Sequence, residues 1–227
     1  MAIALVSSRI QQSPDTNGFT TTAIDTTGAT LLEVVIVDYK VVGASTLSDS
    51  KSNTWVQVGS TLIGTSSSRV HRYRCAGGTV GSGHTVTLGV TGGYPAVSFS
   101  AWSGTHATPD DQNNGTAGTG STTTQQPGSI TPSVNDCLVL TGVAVSDVGY
   151  TMTIDGGFTI LHQITNVNAQ AFGVALAYLL QTTAAAANPT WTFSGASTDR
   201  TTDITSIKSA AAGVVAKAAS LALMGVQ

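Results

Sequence analysis

The feature that most constrains the fold is a pattern of strand-like segments that occurs twice along the chain. The two copies follow the same order, at a spacing too long for a solenoid repeat. The matched positions are Val34 with Val139, Tyr73 with Tyr178, His84–Leu88 with Pro189–Phe193, and Val97 with Ile204, at separations of 105, 105, 105 and 107 residues. The repeat predicts two similar halves, 31–104 and 136–209, each a run of β-strands.

The longest strand-like segment is Leu31 to Val42, which is apolar almost throughout. A strand without polar alternation has both faces covered, so we expect it at the centre of a sandwich. The remaining segments are rich in β-branched residues and are separated by Gly, Ser and Asn, as antiparallel strands usually are. The sequence therefore predicts an all-β, two-sheet antiparallel sandwich in which two half-sandwiches complete each other.

Alternation along the segment Val70 to Cys75 separates its side chains onto two faces. His71 and Cys75 share one face with a tyrosine, whereas Arg72 and Arg74 lie on the other. The first face is predicted to be core. The two arginines are expected to point outward or to a partner, and we treat them as candidate interface residues.

The segments outside the repeat have a different character. Residues 105–135, rich in Thr, Gly, Asn, Gln and Pro, are predicted to form a long loop between the halves. Residues 1–30 are expected to add a strand or an arm, and 210–227 an Ala-rich apolar helix or arm that packs on its own sandwich or on a neighbouring subunit. The candidate interface residues in this last segment are Val214, Val215, Leu221, Leu223 and Met224.

Charge is scarce, and this limits the possible partners. Charged residues make up 9% of the chain, and its nine Lys and Arg give a formal net charge of −3. No broad positive face is available for phosphates, so nucleic acid is not expected as a partner. No stretch is apolar enough to span a membrane, and the N-terminus lacks the features of a signal peptide, which predicts synthesis in a cytoplasm.

The two cysteines, Cys75 and Cys137, leave two alternatives open. Each lies in a β-rich segment, so they can form a disulfide or pack as two buried free thiols. Buried thiols are the preferred interpretation.

A sandwich-fold glycoside hydrolase would need two carboxylates on either side of a cleft. The only Glu is Glu33, and it lies five positions from Asp38, on the opposite face of one strand. Of the carboxylates Glu33, Asp38, Asp110, Asp111 and Asp155, some pair would have to approach within about 10 Å. Glu33 and Asp38 cannot form such a pair, and we predict that the chain is not an enzyme.

Clustered oxygen ligands make calcium the metal to consider. Asp49 with Asn53, and Asp110 with Asp111, bring hard oxygens together, although neither segment has the ligand order of an EF-hand. Turns in which these side chains bind backbone N–H groups are the alternative and the favoured interpretation. No cofactor is expected.

Carbohydrate binding would require exposed aromatic rings. Trp55, Trp102 and Trp191 are the candidates, but each lies in a predicted strand, where most tryptophans belong to the core. The prediction leaves their exposure open.

Several strings of turn and strand residues resemble a family of β-sandwich proteins encoded by tailed phages and bacterial genomes. These strings are Asp49–Trp55, His84–Leu88, Ala96–Gly104, Pro127–Asp136 and Asn188–Gly195. The resemblance covers most of 31–209 and implies a jelly-roll-like sandwich in a virion or surface assembly. It assigns no catalytic residue.

The function expected on these grounds is that of a non-enzymatic structural protein of a phage-like virion, as a capsid decoration, fibre or tail component. Its partners would be other copies of itself and other virion proteins. A carbohydrate- or receptor-binding module, with a host-surface glycan as ligand, is the alternative, and a sandwich-fold glycoside hydrolase is the third possibility.

Overall fold

The computed structural model of the chain describes residues 2–14, 17–39, 45–64, 68–90, 93–146, 150–167 and 172–210. The predicted C-terminal helix or arm, with Val214, Val215, Leu221, Leu223 and Met224, lies outside these residues. The described residues form an all-β, antiparallel structure, as predicted.

The first half of the chain builds a five-stranded sheet in the order β1-β8-β3-β6-β5 and a three-stranded sheet in the order β2-β7-β4. The residues before 31 form β1 and β2, so the N-terminal stretch adds strands, which was one of its two predicted alternatives. The strands of this half are β1 (Ala4–Gln12), β2 (Phe19–Thr20), β3 (Leu31–Tyr39), β4 (Thr46–Asp49), β5 (Val56–Ile63), β6 (Ser68–Ala76), β7 (Val86–Gly89) and β8 (Ala96–Ser103).

The second half repeats this topology strand for strand. Its five-stranded sheet has the order β13-β14-β11-β16-β9, and its three-stranded sheet has the order β10-β15-β12. The strands are β9 (Thr105–Gly118), β10 (Thr122–Gln125), β11 (Cys137–Ser146), β12 (Met152–Ile154), β13 (Thr159–Ile164), β14 (Phe172–Gln181), β15 (Trp191–Ser197) and β16 (Arg200–Ser209).

The prediction of a loop over 105–135 was wrong for the residues that form β9 and β10. β9 is an edge strand, hydrogen-bonded to β16 alone, and most of its side chains are exposed or half-exposed. An edge strand with little to bury needs no apolar alternation, so its Thr- and Asn-rich sequence is typical of a loop.

Each half is a complete sandwich with its own core. In the first half Leu32, Val34 and Phe99 of the large sheet pack against Val86 and Leu88 of the small one. A corresponding cluster, containing Val143, Trp191 and Phe193, fills the second half. The prediction that two half-sandwiches complete each other was therefore wrong. The duplicated unit is a jelly-roll-like sandwich of eight strands.

The two large sheets pack face to face, so the molecule has four layers. β3 contacts β11 at the centre of the interface, β5 contacts β9 at one end, and β1 contacts β13 at the other. Because β3 corresponds to β11, β1 to β9 and β5 to β13, this is the arrangement that a twofold axis would produce. β3 is buried along nearly its whole length, as predicted for a central strand.

Strand pairing fixes the true correspondence between the halves. Val34 pairs with Tyr73, and its counterpart Val139 pairs with Leu179. Tyr73 therefore corresponds to Leu179 and not to Tyr178, which faces the other half beside Trp102. The tyrosine match was wrong by one residue, and a slip of one residue moves a side chain to the opposite face.

Cys75 and Cys137 are both free and buried, which agrees with the preferred interpretation. Burial raises the pKa of the Cys137 thiol to about 11. The described part of the chain contains no helix whose length and hydropathy suit a membrane span.

Candidate functional site

The strongest candidate for a functional site lies between the two halves, where charged side chains of the first half meet the second. Arg72 and Arg74 point away from the core of their own sandwich, as the alternation of β6 predicts. The surface they meet is β16 of the same chain, and each arginine is only 3% exposed. The prediction that they point outward or to another subunit was therefore wrong.

Arg72 is held by two carboxylates, one from each half. Its Nε and Nη2 donate to Oδ2 and Oδ1 of Asp203 at 2.6 and 3.0 Å, and its Nη1 lies 3.5 Å from Oε2 of Glu33. Burial alone would disfavour the charged guanidinium. The two carboxylates outweigh burial and raise the pKa of Arg72, so the group stays charged.

Arg74 extends this network toward solvent. Its Nε donates to Oε1 of Glu33 at 2.8 Å, and its Nη2 donates to the Thr205 hydroxyl at 3.3 Å. Its Nη1 contacts Asp110, whose side chain is 71% exposed. The network therefore joins two arginines to three carboxylates and offers no excess positive charge.

Gly142 makes room for the buried ion pair. Its backbone N–H donates to Oδ1 of Asp203 at 2.8 Å. A Cβ at this position would lie 3.0 Å from the same oxygen and 3.7 Å from Nη2 of Arg72. In the first half the corresponding residue is Val37, a buried core residue. A valine side chain is accommodated at position 37 of the first half, but at position 142 it would crowd the ion pair of Arg72 and Asp203.

A cavity of about 200 Å³ opens beside this pair, at the end of the interface where β5 meets β9. Both edge strands are irregular here. The register of β5 shifts between Val58 and Leu62, and the pairing of β9 with β16 shifts between Thr205 and Ile207. The first half contributes Val58, Gly59, Ser60, Leu62, Val70 and Arg72 to the lining, and the second contributes Asn113, Asn114, Gly115, Asp203, Ile204 and Thr205.

The other end of the interface, where β1 meets β13, has different chemistry. Apolar clusters containing Val174 and Trp102 join the halves there. Ser98 of the first half and Nδ1 of His162 of the second are 2.9 Å apart. Burial lowers the pKa of His162 to about 4, so the ring is neutral at neutral pH.

The calcium candidates Asp49 and Asn53 are engaged in turn contacts. Asp49 Oδ1 accepts the N–H groups of Lys51 and Asn53 at 2.8 and 3.2 Å, and its Oδ2 accepts Nε1 of Trp55 at 2.8 Å. Burial opposes ionisation of Asp49, but these N–H groups outweigh it and lower its pKa. The Asn53 side chain bonds both backbone groups of Thr79.

Asp110 and Asp111 are also engaged, and they point in different directions. Asp111 accepts the Ser133 N–H at 2.9 Å and the Ser206 hydroxyl at 2.8 Å, whereas Asp110 contacts Arg74. Within the described ranges, no group of three or more His, Cys, Asp or Glu side chains is arranged to hold a metal ion.

Two of the three tryptophans belong to the cores. Trp102 and Trp191 are fully buried, and their Nε1 atoms donate to Ser100 at 2.9 Å and to Thr141 at 3.2 Å. Neither presents a free ring face, as a sugar-stacking platform would require. Trp55 is partly buried against the core of the first half and donates Nε1–H to Asp49.

Of the five carboxylates considered for a hydrolase, Glu33 and Asp110 come closest to the required arrangement. Both contact Arg74, so this pair does approach. The guanidinium binds both groups, and Glu33 is 1% exposed. Asp38 lies on the other face of β3, bonded to Arg69 at 2.8 Å. Asp155 accepts the Thr190 N–H at 2.7 Å.

Sequence reasoning missed Asp203, Gly142 and His162, which define the two ends of the interface. One signal was available for Asp203, because a lone carboxylate inside an otherwise uncharged stretch of a strand requires a buried partner. That partner is 131 positions away, so its identity could not be read from the sequence.

Comparisons with known proteins gave no match to a family model, a curated protein or a solved structure.

Proposed function

We propose that the protein is a non-enzymatic structural component of a phage-like virion, such as a capsid decoration, fibre or tail protein, and that it works through contacts between subunits. The observation that carries this proposal is that the few arginines of the chain are mostly paired inside the molecule. Arg69, Arg72 and Arg74 all pair with carboxylates inside the molecule, so these charges add little to the outer surface of a chain with only 9% charged residues. Such a surface gains little solubility from charge repulsion and suits coverage by neighbouring copies.

The edge strand β5 supplies a contact region for this role. Val56 and Ile63, near its two ends, are 59% and 56% exposed. Among the residues that the structure describes, β5 is hydrogen-bonded only to β6, and no strand lies along its outer edge. Exposed apolar residues on an edge strand favour association unless something covers them. The jelly-roll order also occurs in viral capsid proteins, although this is an analogy of fold alone.

Sedimentation velocity of the purified protein tests the proposal. We expect the wild-type chain to form a discrete assembly larger than a monomer, and V56K/I63K to shift the population toward monomer. Gln57→Lys, on the same strand at another exposed position, is the matched control and should assemble normally. A wild-type monomer, or unchanged assembly of V56K/I63K, would count against the proposal.

The C-terminal segment gives a second test, because Val214, Val215, Leu221, Leu223 and Met224 remain predicted interface residues. Deletion of 210–227 is expected to abolish assembly and leave the circular dichroism spectrum unchanged. If the shortened chain assembles like the full one, that segment has no part in the contacts.

A further inference from the structure

The two ends of the interface between the halves occupy corresponding positions in the repeat, yet only the end where β5 meets β9 has a buried ion pair beside its cavity. The other end has a wider and shallower cleft lined by Gln12, Gln163 and Asn166. Strand pairing shows that Arg72 of the first half and Tyr178 of the second occupy equivalent positions. In the same way, Asp203 of the second half is equivalent to Ala96 of the first. Tyr178 and Ala96 both pack in or against apolar clusters. The same topology can therefore close this interface without buried charge.

A buried ion pair and a cavity are both unfavourable compared with well-packed apolar side chains. The end where β5 meets β9 has both features, so the fold itself does not require them. A ligand that fills the cavity would account for their presence, since pockets between packed units are common binding sites.

The walls of the cavity determine which chemistry can fill it. Arg72 directs three of its five N–H groups at Asp203 and Glu33, and these two carboxylates balance its charge, so the site has no excess positive charge to attract an anion. Asp203, in contrast, is an acceptor with capacity to spare. Three described bonds reach its carboxylate, which can accept about four. A ligand at this point must donate hydrogen bonds.

The residues at the mouth and along the sides of the cavity set further requirements for a ligand. Ser60 and Asn113 place a hydroxyl and an amide at the mouth, whereas Val58, Leu62 and Val70 supply aliphatic surface. At about 30 Å³ per water molecule, 200 Å³ corresponds to about seven waters, which is space for one small ring and not for a chain of them. A ring with hydroxyl donors and C–H faces satisfies both kinds of wall.

We infer that the cavity between β5 and β9 binds a single neutral sugar unit, with a ring hydroxyl donating to Oδ2 of Asp203 and the C–H face packed on Val58 and Leu62. This site is separate from all three tryptophans. It goes beyond the structural role proposed above, because a virion protein with such a site could also contact a host-surface glycan.

Saturation-transfer NMR, observed on the sugar, tests the inference whether or not the protein assembles. The probes are the methyl glycosides of glucose, galactose, mannose and N-acetylglucosamine, with ethylammonium chloride as a cationic probe. We expect saturable transfer to at least one glycoside, and at least a tenfold weaker affinity in Ser60→Trp, whose side chain fills the cavity. Asn113→Ala, a milder change at the rim, is expected to weaken binding about three- to tenfold, as loss of one hydrogen bond does.

Gln57→Trp is the matched control for the bulky variant, and it should bind like the wild type. Thermal melting of each variant checks that it is folded, and Asn113→Ala keeps the test decisive if Ser60→Trp does not fold. The inference is overturned if no glycoside gives saturable transfer, if both cavity variants bind normally, or if ethylammonium binds and the glycosides do not. Because the readout is independent of assembly, its failure leaves the structural proposal untouched, and the reverse also holds.

Discussion

The two halves of the molecule share one topology but present different chemistry to each other. The large sheet of the first half presents Glu33, Arg72 and Arg74, whereas the corresponding positions of the second half are Leu138, Tyr178 and Leu180. The second half answers with buried carboxylates: Asp203 pairs with Arg72, and Asp199 accepts the N–H and the hydroxyl of Ser68. Strand order is thus compatible with either an ionic or an apolar interface. Topology therefore determines where the two sandwiches pack, whereas the side chains determine the chemistry of the interface.

The largest effect is expected when the ionic end loses its carboxylate. Asp203→Ala leaves Arg72 buried with only the 3.5 Å contact to Glu33, and we expect a loss of about 3–5 kcal/mol in the free energy of unfolding. Urea denaturation measures this loss. Asp110→Ala, which removes an exposed partner of Arg74, is the control and should lower stability by less than about 1 kcal/mol.

The double variant R72Y/D203A sharpens the same comparison by giving the first end the residues found at the second. We expect it to be more stable than Asp203→Ala alone, because an apolar replacement removes the uncompensated charge. If the double variant is the less stable of the two, the two ends are not equivalent in the way the strand pairing indicates.

The next largest effect concerns Gly142, whose counterpart is Val37. Gly142→Val places a Cβ 3.0 Å from Oδ1 of Asp203, and the crowding is expected to lower stability by about 1–3 kcal/mol in urea denaturation. The penalty should shrink in the Asp203→Ala background, where the crowded oxygen is absent. Equal penalties in both backgrounds would mean that Gly142 serves some other contact.

A smaller loss of stability is expected from the opposite end of the interface when the pH is lowered. Burial lowers the pKa of His162 from its ordinary value of 6.5 to about 4, so the unfolded chain binds the proton more readily than the folded one. The stability that neutral His162 contributes to the fold is fully present above about pH 6.5 and is lost as pH falls toward 4. Solvent at the partly exposed ring screens the effect, so we expect a loss on the order of 1 kcal/mol. His162→Asn should flatten this part of the pH profile, and an unchanged profile would assign it to other groups.

The smallest effect is expected from calcium. The oxygens of Asp49 and Asp111 already accept N–H and O–H groups of nearby residues. We therefore expect calcium at millimolar concentration to raise the melting temperature by less than about 1 °C, since an ion that does not bind the folded state cannot stabilise it. Differential scanning fluorimetry with and without EDTA measures this, and a saturable rise would restore the calcium hypothesis.

Local pattern explains what could be predicted from the sequence. Alternation in β6 placed His71 and Arg72 on opposite faces, and the apolar run of β3 indicated a central strand; both are as expected. The repeat indicated duplication, and the separation of 107 residues between Val97 and Ile204 agrees with the strand pairing. Matching Tyr73 to Tyr178 by residue type failed, because a β-strand changes face at every residue.

The sequence by itself determined an all-β chain, its duplicated strand plan and the two faces of its central strands, because these depend on alternation between near neighbours. Only the tertiary structure decided that each half closes as its own sandwich, that β9 adds to a sheet edge, and that Arg72 finds its partner in Asp203. The physical reason is that burial and ion pairing depend on which sheets stack. Stacking joins residues more than a hundred positions apart, and no local pattern records it.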